Sequence, residues 1–279
     1  MKLFENVVTD KERAFYGTAG AILRSCTFKG EADGESAVKE CRDLKIENCD
    51  FHLRYPIWHV TGAVIDNCRL HESCRAPLWY CKDVQIKNTH MVGVKALREC
   101  ESTTLSDVFA SSKEIGWFCT DLKIKDSDVN GEYPFLKTRE LVLENTRLSG
   151  KYSFQYVENA TISGCDLDTK DAFWHAKNVT VTDSTVKGEY LGWYSENLTF
   201  IRCKISGTQP LCYCKNLTLI DCEMQGCDLS FERSEVKASV TGAIESVKNP
   251  VSGYIEADTI GQIILDMPTE CRITAREQK

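Results

Sequence analysis

Residues 198–205 read LTFIRCKI and residues 217–224 read LTLIDCEM, the same pattern 19 positions later. Related octets stand at 44–51 (LKIENCDF), 63–70 (AVIDNCRL), 84–91 (VQIKNTHM), 141–148 (LVLENTRL) and 160–167 (ATISGCDL). The fifth residue of each octet serves as an anchor. The anchors are Ser25, Asn48, Asn67, Asn88, Asp107, Asp126, Asn145, Gly164, Asp183, Arg202 and Asp221. Their spacings are 23, 19 and 21, then 19 throughout, and the same step extends to Val240 and Thr259. Self-similarity at a fixed short period is the signature of a repeat architecture. About 13 units cover almost the whole chain.

A 19-residue unit is too short for a helix pair. Its apolar residues alternate in short β-rich stretches, such as Leu198 and Phe200, then Cys203 and Ile205. Three short sides require three corners. The anchor is one corner and is mostly Asn, Asp or Gly, which tolerate the left-handed backbone conformation. Five residues earlier lies a second Asx-rich corner, at Asp43, Asp83, Asp121, Asn159, Asn178, Asn197 and Asn216. Fourteen before the anchor lies a third, rich in glycine: Gly34, Gly93, Gly131, Gly150, Gly188 and Gly207. The pattern predicts an all-β fold: a single-stranded right-handed parallel β-helix, or β-solenoid. At about 4.8 Å per rung, 13 rungs give a rod of roughly 60 Å. One domain is expected over 1–279, with an N-terminal cap at 1–20, rungs at 21–266 and a C-terminal cap at 267–279.

The segments LRYPIWH (53–59), KALREC (95–100), KDAFWHAKN (170–178), GEYLGWYSEN (188–197) and GTQPLCYC (207–214) resemble the bacterial domain-of-unknown-function family 3737. The coil resembles the right-handed parallel β-helix of the pectate-lyase-like superfamily. The resemblance covers nearly the full chain and implies the fold. It implies no activity. The superfamily includes polysaccharide lyases and glycoside hydrolases, but neither a Gly-His-Gly rung nor a clustered set of calcium-binding aspartates occurs here, and fold alone does not transfer chemistry.

Composition narrows the remaining classes. The chain has 279 residues, 42% of them hydrophobic, enough to bury a core without disulfides. Its net charge of −7 opposes nucleic-acid binding, which uses a basic surface. No apolar run approaches ~18 residues, so no membrane span is expected. The first ten residues lack the apolar region of a secretory signal. Of the 15 cysteines, six follow the anchor directly (Cys26, Cys49, Cys68, Cys165, Cys203, Cys222) and five precede it by seven (Cys41, Cys81, Cys100, Cys119, Cys214). Other rungs fill these columns with Ser, Thr, Val or Ala, so cysteine reads as a small buried residue. Zinc-type spacing is missing, and stacked thiols point the same way instead of converging. No disulfide ladder, metal or cofactor is expected, and a reducing, cytoplasmic location is. Any reactive thiol is to be sought among Cys74, Cys212, Cys227 and Cys271.

The third side is where function is expected. It reads YPIWHV (55–60), APLWYC (76–81), KALREC (95–100), EIGWFC (114–119), YPFLKT (133–138), YSFQYV (152–157), DAFWHA (171–176), YLGWYS (190–195) and QPLCYC (209–214). All five tryptophans occupy one position of the repeat, followed by a second bulky position. With the flanking columns pointing inward, at least one of these two must point out. An aromatic ladder with charged rungs suits sugar rings; the same stripe also fits core packing or a protein interface. Both irregular spacings fall at the corner leading into this side, near residues 31–34 and 71–73, and insertions in repeats tend to mark the binding face. The ligand-binding candidates are therefore Arg54, Trp58, Arg75, Trp79, Tyr80, Lys95 and Trp117. The catalytic candidates are Glu40, His59, Arg98 and Glu99. Glu40 and Glu99 are three rungs apart, about 14 Å, too far for a glycosidase pair. Asp171 and Glu189, one rung apart with His175 nearby, fit that distance better but also read as corner charges.

The reading is a protein that binds a carbohydrate or related polyhydroxyl ligand along the aromatic side, with a glycan hydrolase or lyase activity as its extension. The alternative is a non-catalytic interaction scaffold, self-associating through that side or the solenoid ends.

Overall fold

The computed structural model describes residues 1–276. The chain is a parallel β-solenoid of about 14 turns with a period near 19 residues. It divides into two compact units, Met1–Val142 and the remainder from Leu143. Among the described residues no helix is long and apolar enough to cross a membrane.

In the first unit the longest strands are Lys2–Glu5, Ala19–Arg24, Arg42–Glu47, Thr61–Asp66, Lys82–Lys87, Glu101–Ser106 and Thr120–Lys125. Each pairs in parallel with the next, as in Ile46↔Ile65, Ile65↔Ile86 and Ile86↔Leu105. A second face carries shorter strands, among them Asp50–Phe51, Arg69–Leu70, His90–Val92 and Phe109–Ser111. A third is a four-stranded sheet of Ile57–Trp58, Leu78–Trp79, Ala96–Arg98 and Ile115–Trp117. Alternation decides what is inside: Leu23, Ile46 and Ile65 have no exposure. Each such side chain contributes about 1.5–3 kcal/mol on burial. Phe28 and Phe51 stack inside at 4.5 Å.

The second unit repeats the two strand faces, with Glu158–Ser163, Lys177–Thr182, Glu196–Ile201 and Leu217–Glu223 on the longer one. Its third side is a run of turns around buried Phe154, Phe173 and Leu211, whose φ angles are all near +62°.

Two of the three expected corners are left-handed. Every anchor has φ between +47° and +63°, and the residues five before it, such as Asp43, Asp83, Asn178 and Asn216, lie between +49° and +68°. In the second unit the latter form a ladder: Asn178, Asn197 and Asn216 each donate Nδ2–H to the amide oxygen one coil earlier, at 2.8–2.9 Å. Stacked amides of this kind stiffen a parallel array.

Lys2–Glu5 pairs in parallel with Ala21–Arg24, and Glu270–Ala275 with Ser252–Ala257, so both expected cap segments carry strands of the coil. The last three residues of the expected C-terminal cap lie outside the described residues. One expectation needs correction. The 19-residue step does not continue to Val240 and Thr259. A bulge between Leu219 and Cys222 sets Val240 beside Cys222, and Thr259 pairs with Ala243. Later rungs are shorter, with Glu235 paired to Ser252.

All 15 cysteines are free and buried. Their columns have a hydrogen-bonding reason as well as a steric one. Each anchor-following thiol donates weakly to the carbonyl two residues before it, as Cys49 does to Glu47 and Cys68 to Asp66, at 3.3 and 3.2 Å. Thr89, Ser127 and Ser184 make the same bond with a hydroxyl at 2.6–2.8 Å. Cys, Ser and Thr interchange because all are small and all donate to that carbonyl.

Candidate functional site

The third side of the first unit contains all eleven candidate residues. Its flanking columns face inward: Ile57, Leu78, Leu97, Val60, Cys81 and Cys100 are buried. Between them, the tryptophan position is half-buried and the next position is exposed.

The tryptophans are committed to the coil. Trp58 donates its indole N–H to Ala76 O at 2.8 Å, Trp79 to Lys95 O at 2.7 Å and Trp117 to Tyr133 O at 2.7 Å. In each case a ring on one coil satisfies a corner carbonyl of the following coil. Trp174 and Trp193 do the same within the second unit. The faces are also occupied: Trp58 and Trp79 stack at 5.2 Å and 3°. The next coil places Arg98 where a tryptophan would stand, beside Trp79 and Trp117 in register. Its guanidinium lies 5.0 Å from Trp79, 5.8 Å from Trp117 and 5.3 Å from Phe118. Such cation–π contacts suit arginine, whose planar cation is weakly hydrated.

The exposed position forms a second column: Glu40, His59, Tyr80, Glu99, Phe118 and Lys137. All have φ between +51° and +58°, so the chain turns here on side chains that do not normally signal a left-handed corner. His59 and Tyr80 stack at 4.8 Å. Glu40 instead accepts a hydrogen bond from Tyr16 Oη at 2.9 Å, which raises the Tyr16 phenol above its ordinary range. Glu99 faces Arg98 at 3.4 Å. Arg98 and Glu99 are thus brought together, His59 is held against Tyr80, and Glu40 is engaged elsewhere.

The remaining basic candidates are peripheral. Arg54 is exposed, with its guanidinium 3.4 Å from Asp33 and 3.9 Å from Glu35. Arg75 is exposed, and Lys95 contributes the carbonyl that accepts from Trp79.

Glu99 interrupts the aromatic stack. Tyr80 and Phe118 flank it one coil either side, two strand spacings of about 4.8 Å apart along the backbone. At this interruption lies an open depression of about 520 Å³ lined by Arg98, Glu99, Glu101, Phe118 and Thr120. Glu101 is held at its rim by Lys82 at 3.0 Å. Phe118, Glu101 and Thr120 were not among the sequence candidates; the carboxylate between two aromatics in one column was the signal for them.

In the second unit the corresponding column is unbroken: Tyr156, His175, Tyr194 and Tyr213 stack at 4.8, 5.1 and 4.9 Å. His175 is enclosed between two rings. Asp171 lies beside Glu189, and burial, with the Glu189 charge adding to it, raises its carboxyl above the usual range.

The chain was compared with known proteins. No curated protein matches it. Among solved structures it is similar to PfbA, a surface adhesin of Streptococcus pneumoniae, at 9% identity and TM-score 0.42, covering 87% of this chain and 83% of that one. It is similar to the tailspike of Escherichia coli bacteriophage HK620 at 11% identity and TM-score 0.47, covering 88% of this chain and 60% of the tailspike. It is also similar to the A-module of the Azotobacter vinelandii mannuronan C-5 epimerase AlgE4, at 12% identity and TM-score 0.31, covering 92% and 91%. The sequence also matches one family model, "Protein of unknown function (DUF3737)", over residues 2–275, nearly the whole length. The chain belongs to this family of proteins of unknown function.

Proposed function

We propose that the protein binds a carbohydrate or related polyhydroxyl ligand, with one ring seated in the gap between Tyr80 and Phe118. The supporting observation is that the carboxylate Glu99 stands between two aromatics, Tyr80 and Phe118, in the outward column, beside the depression at Arg98 and Glu99. A gap of about two coil steps accepts one ring-sized body in place of the missing aromatic. Phe118, which lines the depression, offers an apolar surface. The carboxylates of Glu99 and Glu101 accept from ligand hydroxyls, and the Arg98 fork donates to them. This differs from a ladder of tryptophan platforms, because the indole faces and N–H groups are already used within the coil. The reading is one of recognition, and no turnover is assigned to Glu40, His59, Arg98 or Glu99. The free, buried thiols support a reducing, cytoplasmic setting.

The test is to fill the gap. Glu99→Tyr should extend the stack, as Tyr194 does between His175 and Tyr213. A glycan panel is titrated against the intrinsic fluorescence, which the neighbouring Trp79 and Trp117 report. The native protein should respond to a subset of glycans and Glu99→Tyr should not. A change that tracks protein concentration, with no glycan response, would instead favour self-association through this side.

A further inference from the structure

A different face of the first unit carries a separate cluster. After each anchor the chain alternates in and out. In residues 48–52 (NCDFH) and 67–71 (NCRLH), Cys49, Phe51, Cys68 and Leu70 point inward and are buried. Asp50, His52 and His71 therefore point outward. His52 lies one coil from His71, and their rings stack at 3.8 Å and 15°. Both turn Nε2 toward the same carboxylate: His52 Nε2 is 3.1 Å from Asp50 Oδ2, and His71 Nε2 is 2.6 Å from Asp50 Oδ1. One ligand atom from each of the three residues lies within 4.8 Å of the others.

The geometry points to a divalent transition-metal site formed by Asp50, His52 and His71, of the class that takes zinc, cobalt or nickel. Two imidazoles and one carboxylate are the donor set these ions favour. Metal–ligand bonds of about 2.0–2.1 Å require ligand atoms about 3 Å apart, and both Asp50–histidine separations are near that value. Both Nε2 atoms face one carboxylate; to bind an ion there, each neutral imidazole presents its Nε2 lone pair and carries its proton on Nδ1. The backbone is already set, since His52 N–H donates to Phe28 O and His71 N–H to Phe51 O, each at 3.0 Å. All three side chains are half-buried, with 22–41% of each side chain accessible, so further coordination positions face solvent. Cys74 does not belong to the set: its thiol donates to Phe51 O at 2.7 Å inside the coil. This site is independent of the gap at Glu99.

The experiment is calorimetric titration of the chelator-treated full chain with Zn²⁺, followed by Co²⁺ spectroscopy. The native protein should take up one Zn²⁺. His52→Ala and His71→Ala should each weaken binding by about 10-fold or more, while His90→Ala should leave it unchanged. Bound Co²⁺ should show visible ligand-field bands without an intense thiolate charge-transfer band. If a histidine variant does not fold by circular dichroism, Asp50→Asn gives the same comparison with the side-chain shape kept. Absence of Zn²⁺ binding up to about 1 mM, equal affinity in the variants, or a thiolate band would each overturn the assignment.

Discussion

Gly207→Ala in the second unit gives the sharpest test of how tightly the coils are stacked. A Cβ at Gly207 would fall 1.9 Å from Gly188 O, 2.6 Å from Gly188 C and 3.3 Å from Glu189 N. These are backbone atoms of the preceding coil, so no side-chain rotation relieves the contact. The carbonyl must retreat by more than about 1 Å, which parts the neighbouring hydrogen bond from Gly188 N–H to Ser206 O. Losing that bond costs about 1 kcal/mol. Overpacking adds about 1–3 kcal/mol. The φ of +133° adds a further 1–3 kcal/mol or so for a residue with a Cβ. The expected destabilisation is roughly 3–7 kcal/mol, a fall in Tm on the order of 10 °C. Gly226→Ala is the matched control. Its φ is +74°, but a Cβ there meets nothing within 4 Å, so only about 1–2 kcal/mol of left-handed strain applies. The entropy alanine removes from the unfolded chain is common to both variants and cancels. Thermal and urea unfolding followed by circular dichroism measures the difference. If the two variants agree within about 1 kcal/mol, the close coil contact at Gly207 is wrong.

Other outcomes follow from the same geometry. Burial pushes the thiols of Cys74, Cys212 and Cys227 up to about 12 and Cys271 up to about 11, so these four should resist a thiol reagent at pH 7 in the native protein and react after unfolding, as mass spectrometry of labelled peptides would show. Rapid labelling of any of them without unfolding would contradict their burial. The Asp183 carboxyl is lowered by its hydrogen bonds to Arg202, at 2.7 and 2.8 Å, so the stability it lends is present above the unfolded value near 3.9 and lost as pH falls through the lower folded one. Carbon-detected NMR titration should show the Asp183 midpoint rising in Arg202→Gln; an unchanged midpoint would mean the pair is not formed.

The parts of the fold that were legible in the sequence are those where backbone geometry restricts residue type. Asn48, Asn67, Asp83 and Asn178 occupy left-handed corners that few residues tolerate, so two corners could be read directly. The inward cysteine columns were legible for a related reason, since small side chains fill them in almost every rung. The strand at Lys2–Glu5 was not legible because an edge rung has the same backbone as an internal one but a weaker pattern. The left-handed turn at the exposed column was not legible, because aromatic residues such as Tyr80 and Phe118 do not announce that conformation. The tryptophans looked available because their hydrogen-bond partners, such as Lys95 O for Trp79, are main-chain atoms 16–18 residues away and leave no trace in side-chain type. The Asp50–His52–His71 cluster escaped for another reason. It joins two repeat positions diagonally across coils, and column-by-column comparison does not bring them together.

On the third side of the first unit the tryptophans hold the coils together, and we propose that the outward column recognises the ligand. Measuring Tm and glycan affinity side by side in Trp58→Phe and Glu99→Tyr tests it directly. Trp58→Phe removes the bond to Ala76 O and should lose about 1 kcal/mol of stability with glycan affinity unchanged. Glu99→Tyr should keep its Tm and lose glycan binding. The reverse pattern, with affinity lost on Trp58→Phe and retained in Glu99→Tyr, would contradict the account.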